Sequence, residues 1–177
     1  IVSGQNSGPR TSIGTIGNFG NLLNKNIYTN APIGINVVKF ISDDIGIFSD
    51  IKYGFGHFPA GEKKRPLHSE INYLNIDNFM YIRFSGFTII NLGVALSIVD
   101  ADVNQLIGLI GIGISNQKYY EQYLDKVISE FYYYDYYSDL NLNLHFGLQF
   151  QTIFQSSILI GYDLNPRGFV FGLGHTL

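Results

Sequence analysis

A chain of 177 residues with 14 % charged and 46 % hydrophobic residues fits one domain but cannot assemble a water-facing surface of ordinary charge density. A net charge of −3 offers no basic face for phosphates and excludes nucleic acid as a partner, and the absence of cysteine excludes disulfides and thiolate metal sites. No run reaches the roughly 18 to 20 apolar residues of a membrane-spanning helix, so the hydrophobic excess must be carried by other elements.

Residues 1–11 are polar and Gly-rich, without the basic start or apolar stretch of a secretory signal. They read as an N-terminal periplasmic segment, with the remaining residues 12–177 forming one barrel domain. Ser12 to Leu23 supplies the first strand, with weak alternation. Ile33 to Ile41 is the second; its simplest register sends Lys39 to the apolar side, which calls for a bulge or an interfacial position. After a turn at Ser42 to Asp44, the segment Ile45 to Phe55 places Ile45, Ile47, Ile51 and Tyr53 on one face. Gly46, Phe48, Asp50, Lys52 and Gly54 take the other.

Gly56 to Asn78 is the most charged stretch, with Glu62, Lys63, Lys64, Arg65 and Glu70, and reads as a long loop. From Met80 to Ile98 a single register puts Ile90, Leu92, Val94, Leu96 and Ile98 on one face and Arg83, Asn91, Gly93, Ala95 and Ser97 on the other. Asp100 to Gln105 is a polar turn. Leu106 to Ser115 is a Gly-interrupted strand with Ile110, Ile112 and Ile114 outward, and Asn116 to Ser138 reads as a second long loop. Eight of its residues are tyrosines, including Tyr132, Tyr133, Tyr134, Tyr136 and Tyr137.

The cleanest alternation runs from Leu140 to Gln151. Leu140, Leu142, Leu144, Phe146, Leu148 and Phe150 line one face; Asn141, Asn143, His145, Gly147, Gln149 and Gln151 line the other. At about 3.3 Å per residue and a tilt near 45°, such a strand crosses roughly 28 Å, the depth of a hydrocarbon core. Its polar face is uncharged, amide or small, as a narrow barrel interior requires. Ile158 to Leu164 and Phe169 to Leu177 repeat the pattern around a turn at Asn165 to Gly168, with Asp163, Gly161, Gly172 and Gly174 on the inner side. The fold class is therefore an all-β, eight-stranded antiparallel up-and-down transmembrane barrel. Short connections alternate with long ones, which places the short turns and both termini in the periplasm.

The run from Leu140 to Gln151, the segment from Ile158 to Gly168 and the closing Phe171-Gly-Leu-Gly-His-Thr-Leu177 together resemble small outer-membrane β-barrel proteins of Bacteroidota. Those proteins are similar in architecture to the eight-stranded OmpX and OmpW barrels. The resemblance covers roughly Ile33 to Leu177 and implies an outer-membrane location in a Gram-negative envelope, with lipid or lipopolysaccharide around the wall. It does not fix the role, because such barrels host structural, adhesive, transport and enzymatic functions.

The candidate lumen network is Asp50, Lys52, Arg83, Asn141, Asn143, His145, Gln149 and Asp163. Its bland reading is a salt-bridged plug filling a lumen too narrow for a channel; its functional reading is a polar path for a small solute. Tyr132, Tyr133, Tyr134, Tyr136 and Tyr137 read as an interfacial girdle or as a partner-binding loop. His57, His68, His145 and His175 have no metal-ligand spacing, and His68-Ser69-Glu70 is too weak a pattern to carry hydrolysis, so neither cofactor nor catalysis is expected. The leading expectation is a structural or interaction protein, with protein partners in an envelope assembly. An OmpW-like transporter of small or hydrophobic solutes is the alternative, ahead of a lipid-modifying enzyme. A soluble lipocalin-like barrel would have to turn its Asn, Gln and Gly faces outward with almost no charge among them, which disfavours it.

Overall fold

The computed structural model describes residues 10–19, 32–55, 63–64, 76–101, 104–125, 130–152 and 154–177, with backbone alone at 55, 63–64, 76–85, 119–125 and 130–137. Its strands are β1 (Thr11–Asn18), β2 (Ile33–Phe40), β3 (Ile45–Phe55), β4 (Lys63–Lys64), β5 (Ile76–Ala101), β6 (Asn104–Asp125), β7 (Glu130–Thr152), β8 (Ser156–Leu164) and β9 (Arg167–Thr176). All but β4 belong to one antiparallel barrel, closed by pairing of β1 with β9 and of β7 with β8. Closure gives each of the eight wall strands two partners and removes the open edges that a sheet would otherwise present.

The two-residue period sets the two faces. On β5, Leu92 is 61 % exposed while its neighbour Asn91 is 1 % exposed, and the same contrast runs around the wall. Ile33 and Ile35, Ile45 to Tyr53, Ile110 to Ile114, Leu140 and Leu142, Ile158 and Ile160, and Phe169 to Leu173 form a continuous exposed apolar belt. Lys39 is exposed at the end of this belt, two residues before the Ile41–Asp44 bend, opposite Ile47 and Thr11. The β1–β2 and β2–β3 registers are continuous around it, so no bulge redirects its side chain.

Two sequence expectations need correction. The segment from Asn116 to Ser138 is strand for most of its length: β6 continues to Asp125 and β7 begins at Glu130, leaving 126–129 between them. Aromatic residues of high strand propensity sit on both arms there and the arms pair throughout, so a loop reading failed. The single register from Met80 to Ile98 is also broken. Pairing of β5 with β6 shifts between Phe84 and Gly86, and Gly86 adopts a φ of 154°, a conformation that a side chain would strain. The first strand opens at Thr11.

Three neighbouring strands outrun the barrel. β5, β6 and β7 have 26, 22 and 23 residues, against 8 to 11 in the other wall strands. Among the described residues, pairing of β3 with β5 reaches Phe55–Gly86, and pairing of β7 with β8 reaches His145–Asp163. Pairing within the trio continues to Ile76–Asp125 and Asp125–Glu130. The ten residues 76–85 alone extend the sheet by roughly 30 Å along the strand. Lys63 and Lys64 of β4 pair in parallel with Tyr132 and Tyr133 on the β7 side.

Candidate functional site

The lumen is stacked in layers. Nearest the short turns is a polar layer: Gln149 Nε2 donates to Ser12 Oγ at 2.9 Å, Ser12 Oγ lies 3.4 Å from Ser157 Oγ, and Gln105 Nε2 donates to Ser97 Oγ at 3.1 Å. Arg10 reaches over this end, donating to Gln105 Oε1 and pairing with Asp100 at 3.1 Å. Next comes an apolar layer of Ile16, Val38, Phe40, Phe48, Ala95, Ile107, Leu109, Leu159 and Val170, all buried. The Phe48 ring occupies the space above Gly93 and Gly111, where any added side chain would strike it. Those two glycines are what allow a phenyl ring to lie across so narrow an interior.

Beyond that layer lies the charged one, with Asp163 of β8 at its centre. Its Oδ2 accepts from Lys52 Nζ of β3 at 2.7 Å and from Asn18 Nδ2 of β1 at 2.8 Å. Its Oδ1 accepts from Asn143 Nδ2 of β7 at 3.1 Å and from Asn91 Nδ2 of β5 at 3.4 Å, and it faces His145 Nδ1 at 2.9 Å. One carboxylate therefore ties together β1, β3, β5, β7 and β8. Asp50 takes the second place beside the ammonium, 3.3 Å from Lys52 Nζ, and accepts from Asn91 Nδ2 at 3.0 Å. Asn143 also donates to Asn91 Oδ1 and accepts from the backbone N–H of Asn165 at the β8–β9 turn. The His145 ring packs on Phe48 with centroids 5.4 Å apart, joining the charged layer to the apolar one.

The salt bridges of Lys52 to Asp50 and Asp163 are fully buried, so their partnership cannot be relaxed without stranding a charge. The ammonium, carboxylates and amides of the cluster bond one another. The His145–Asp163 pair has the geometry of a base and its orienter, yet no hydroxyl bonds the far side of the ring among the described residues. A solute moving along the axis would have to displace both Phe48 and the Asp163 hub.

Of the residues expected in the lumen network, the structure brings together Asp50, Lys52, Asn143, His145 and Asp163. Gln149 is inside but bonds Ser12 instead, and its cross-strand neighbours Ile107 and Leu159 belong to the apolar cluster. Alternation assigns a face, not a height, and this is why one network became two. Asn141 is half-buried opposite Ser115, two residues outward from Asn143. Arg83 pairs with Tyr120 beyond the register shift, so parity counted from Asn91 does not place it, and its side chain lies outside the described residues. The tyrosines stand on β7 and not in a loop: Tyr132 faces Tyr123, Tyr133 faces Gln122, Tyr134 faces Glu121, and Tyr136 falls at the shift between the Tyr119–Tyr137 and Tyr120–Asp135 pairs. Their side chains, His57, and His68 with Ser69 and Glu70 also lie outside the described residues; His175 is exposed near the end of β9. Asn18 and Asn91 complete the hub. Asn91 carried a signal in its parity with Gly93, whereas Asn18 was hidden by the weak alternation of β1.

No protein-family model matches the chain, and no curated protein does. Among solved structures it is similar to two crystal structures of Ail, the attachment invasion locus protein of Yersinia pestis. One, in complex with the heparin analogue sucrose octasulfate, aligns with a TM-score of 0.47 at 15 % identity over 96 % of this chain and 99 % of that one. The other aligns with a TM-score of 0.49 at 18 % identity over 96 % and 97 %.

Proposed function

We propose that this protein is an outer-membrane barrel with a sealed interior, and that it acts without catalysis by presenting the projecting β5–β6–β7 sheet to a macromolecular partner outside the membrane. The observation that carries this reading is the length asymmetry: three adjacent strands of 22 to 26 residues rise from a barrel whose other strands need only 8 to 11. A wall strand requires about 9 to 11 residues to cross the bilayer, so the excess has no part in spanning it. The apolar belt supports the membrane location, with lipid or lipopolysaccharide as its neighbour. On this reading the short turns and both termini face the periplasm.

A projecting sheet has consequences that a loop lacks. Among the described residues nothing pairs with the outer edge of β5 along 76–85, and an open edge offers backbone donors and acceptors to an added strand. The chain from Tyr119 to Tyr137 adds eight tyrosines, which give large contact area at low entropic cost. The test is native gel electrophoresis of gently solubilised membranes. Wild type should migrate in an assembly, and a variant with 78–84 and 119–136 replaced by tight turns should keep its heat-resistant barrel but migrate alone. Equal migration of both as monomers, together with a steady unitary conductance from the wild type, would favour a transporter and overturn the proposal.

A further inference from the structure

We infer that the outer wall binds one anionic phospholipid of the leaflet beside the short turns, with its headgroup on Lys39 and an acyl chain in a groove along β1. The inference rests on the reading of the apolar belt as lipid-facing and deepens it. A groove needs small side chains between large ones. The outward column that begins on β1 runs Ile13, Thr15, Gly17, Phe19. Thr15 is paired with Ile35 of β2 and Leu173 of β9, and Gly17 with Ile33 and Phe171. These four flanking residues are exposed and stand as two walls along the short column, around a groove of about 600 Å3. Thr15 Oγ1 donates to the Leu173 carbonyl oxygen at 3.4 Å, so the floor brings no unpaired donor to hydrocarbon. At Gly17 the Phe19 ring folds back over the column, 3.2 Å from where a Cβ would lie, and meets Phe171 edge-on with centroids 5.9 Å apart. The two rings close the groove at the end away from the short turns.

The other end of the column leads to a cation. Lys39 lies four residues beyond Ile35 on β2, roughly 13 Å toward the short turn, and is paired with Thr11 where β1 begins. Ile41, Ile45 and Ile47 near it are exposed and apolar. Among the described residues no carboxylate pairs with it, Asp43 and Asp44 of the adjoining turn included. On the other side of β1, His175 is exposed opposite Ile13 and adds an imidazole to the same end. An ammonium set among isoleucines at the edge of hydrocarbon requires an anion, and its flexible stem lets it reach headgroup level. Charge complementarity thus selects a lipid anion. Cation and then groove follow the order of a phospholipid, headgroup and then chain, from the membrane surface inward. On the orientation proposed above, lipopolysaccharide lies in the opposite leaflet, at the end that Phe19 closes.

The chain has no tryptophan, so Leu173→Trp at the rim of the groove and Ile112→Trp on the opposite wall each give the full chain a single indole. The test refolds each variant into phosphatidylcholine vesicles that contain dibrominated phosphatidylglycerol as the minor lipid, since bromine quenches an indole it touches. Quenching should report phosphatidylglycerol binding about fivefold tighter at Leu173→Trp than at Ile112→Trp, the factor expected of one basic side chain beside an anionic headgroup. Adding Lys39→Gln, or Thr15→Leu to fill the floor, should return the affinity to that of the opposite wall. Lys118→Gln, which removes an exposed cation from β6, should leave the preference unchanged. Equal affinities at the two reporters overturn the inference, and so does a preference that survives Lys39→Gln or Thr15→Leu. Failure of the lipid-facing reading has its own signature: the Ile112→Trp indole would stay unquenched in vesicles made wholly of dibrominated phosphatidylcholine, and the inference would fall with it.

Discussion

The sheet that rises from the barrel continues three of the strands of its wall, yet wall and sheet obey different rules. Along 140–151 of β7, every even position is apolar and every odd one small or polar, because one face meets lipid and the other a lumen only a few side chains wide. Along 130–138 the sorting disappears: Tyr132, Tyr133 and Tyr134 are consecutive in one unshifted register, so tyrosine stands at both parities. A residue tolerated at both parities is one for which both sides of the sheet are alike. The difference teaches that strand continuity and membrane embedding are separate properties, and that only the second imposes a polar–apolar code.

Substitutions should expose the contrast in order of size. Asp163→Ala removes the acceptor shared by Lys52, Asn18, Asn143 and His145 and leaves the buried ammonium with Asp50 alone. It should cost about 3 to 5 kcal/mol in urea unfolding from lipid vesicles, and adding Lys52→Met should recover part of that loss. Phe48→Ala should cost about 3 to 5 kcal/mol, because the lumen contracts little around Gly93 and Gly111 and a cavity remains. It should also produce current steps in planar bilayers that the native protein lacks.

A charge on the outer wall comes next. Leu148→Arg, at a position 51 % exposed in the belt, should cost about 2 to 4 kcal/mol, since an ionised group must enter hydrocarbon. The same change at Ser138, exposed on the same strand beyond its pairing with β8, should stay within about 0.5 kcal/mol, as an ordinary surface substitution does. Equal costs at the two sites would erase the distinction between wall and extension. Smallest is Arg10→Ala: its ion pair with Asp100 is well exposed, and its loss should cost at most about 1 kcal/mol by the same unfolding assay.

These cases also mark what was legible in the amino-acid order. Faces were legible wherever lipid and lumen enforce opposite chemistry, so Asp50, Lys52, Asn143, His145 and Asp163 could be placed inside before any coordinates. Height along the axis was not, since parity is blind to it, and Gln149 was therefore assigned to a network it does not join. The cluster of Val38, Phe48, Ile107, Leu109 and Val170 inside the barrel was obscured for a related reason: an apolar residue on the inner face interrupts a pattern that otherwise marks the interior as polar. The extension of β6 and β7 was hidden because, without a lipid face, its alternation vanishes, and tyrosine-rich strand then looks like loop. Asn18 was lost with the weak pattern of β1, where Gly14, Thr15 and Gly17 leave little contrast between faces.

The most direct test of the central claim is a nitroxide scan along β7 from residue 130 to 151 in lipid bilayers, which the absence of native cysteine makes simple to perform. Collision rates with oxygen, which concentrates in hydrocarbon, and with a water-soluble nickel complex report the surroundings of each position. The account predicts a two-residue period from 140 to 151, with oxygen access high at the even positions and both rates low at the odd ones. From 130 to 138 nickel access should be high at every position. Oxygen access at the odd positions of 140–151, or nickel access in phase with the leucines, would mean that the apolar face does not meet lipid, and the account of this chain as a membrane barrel would fail.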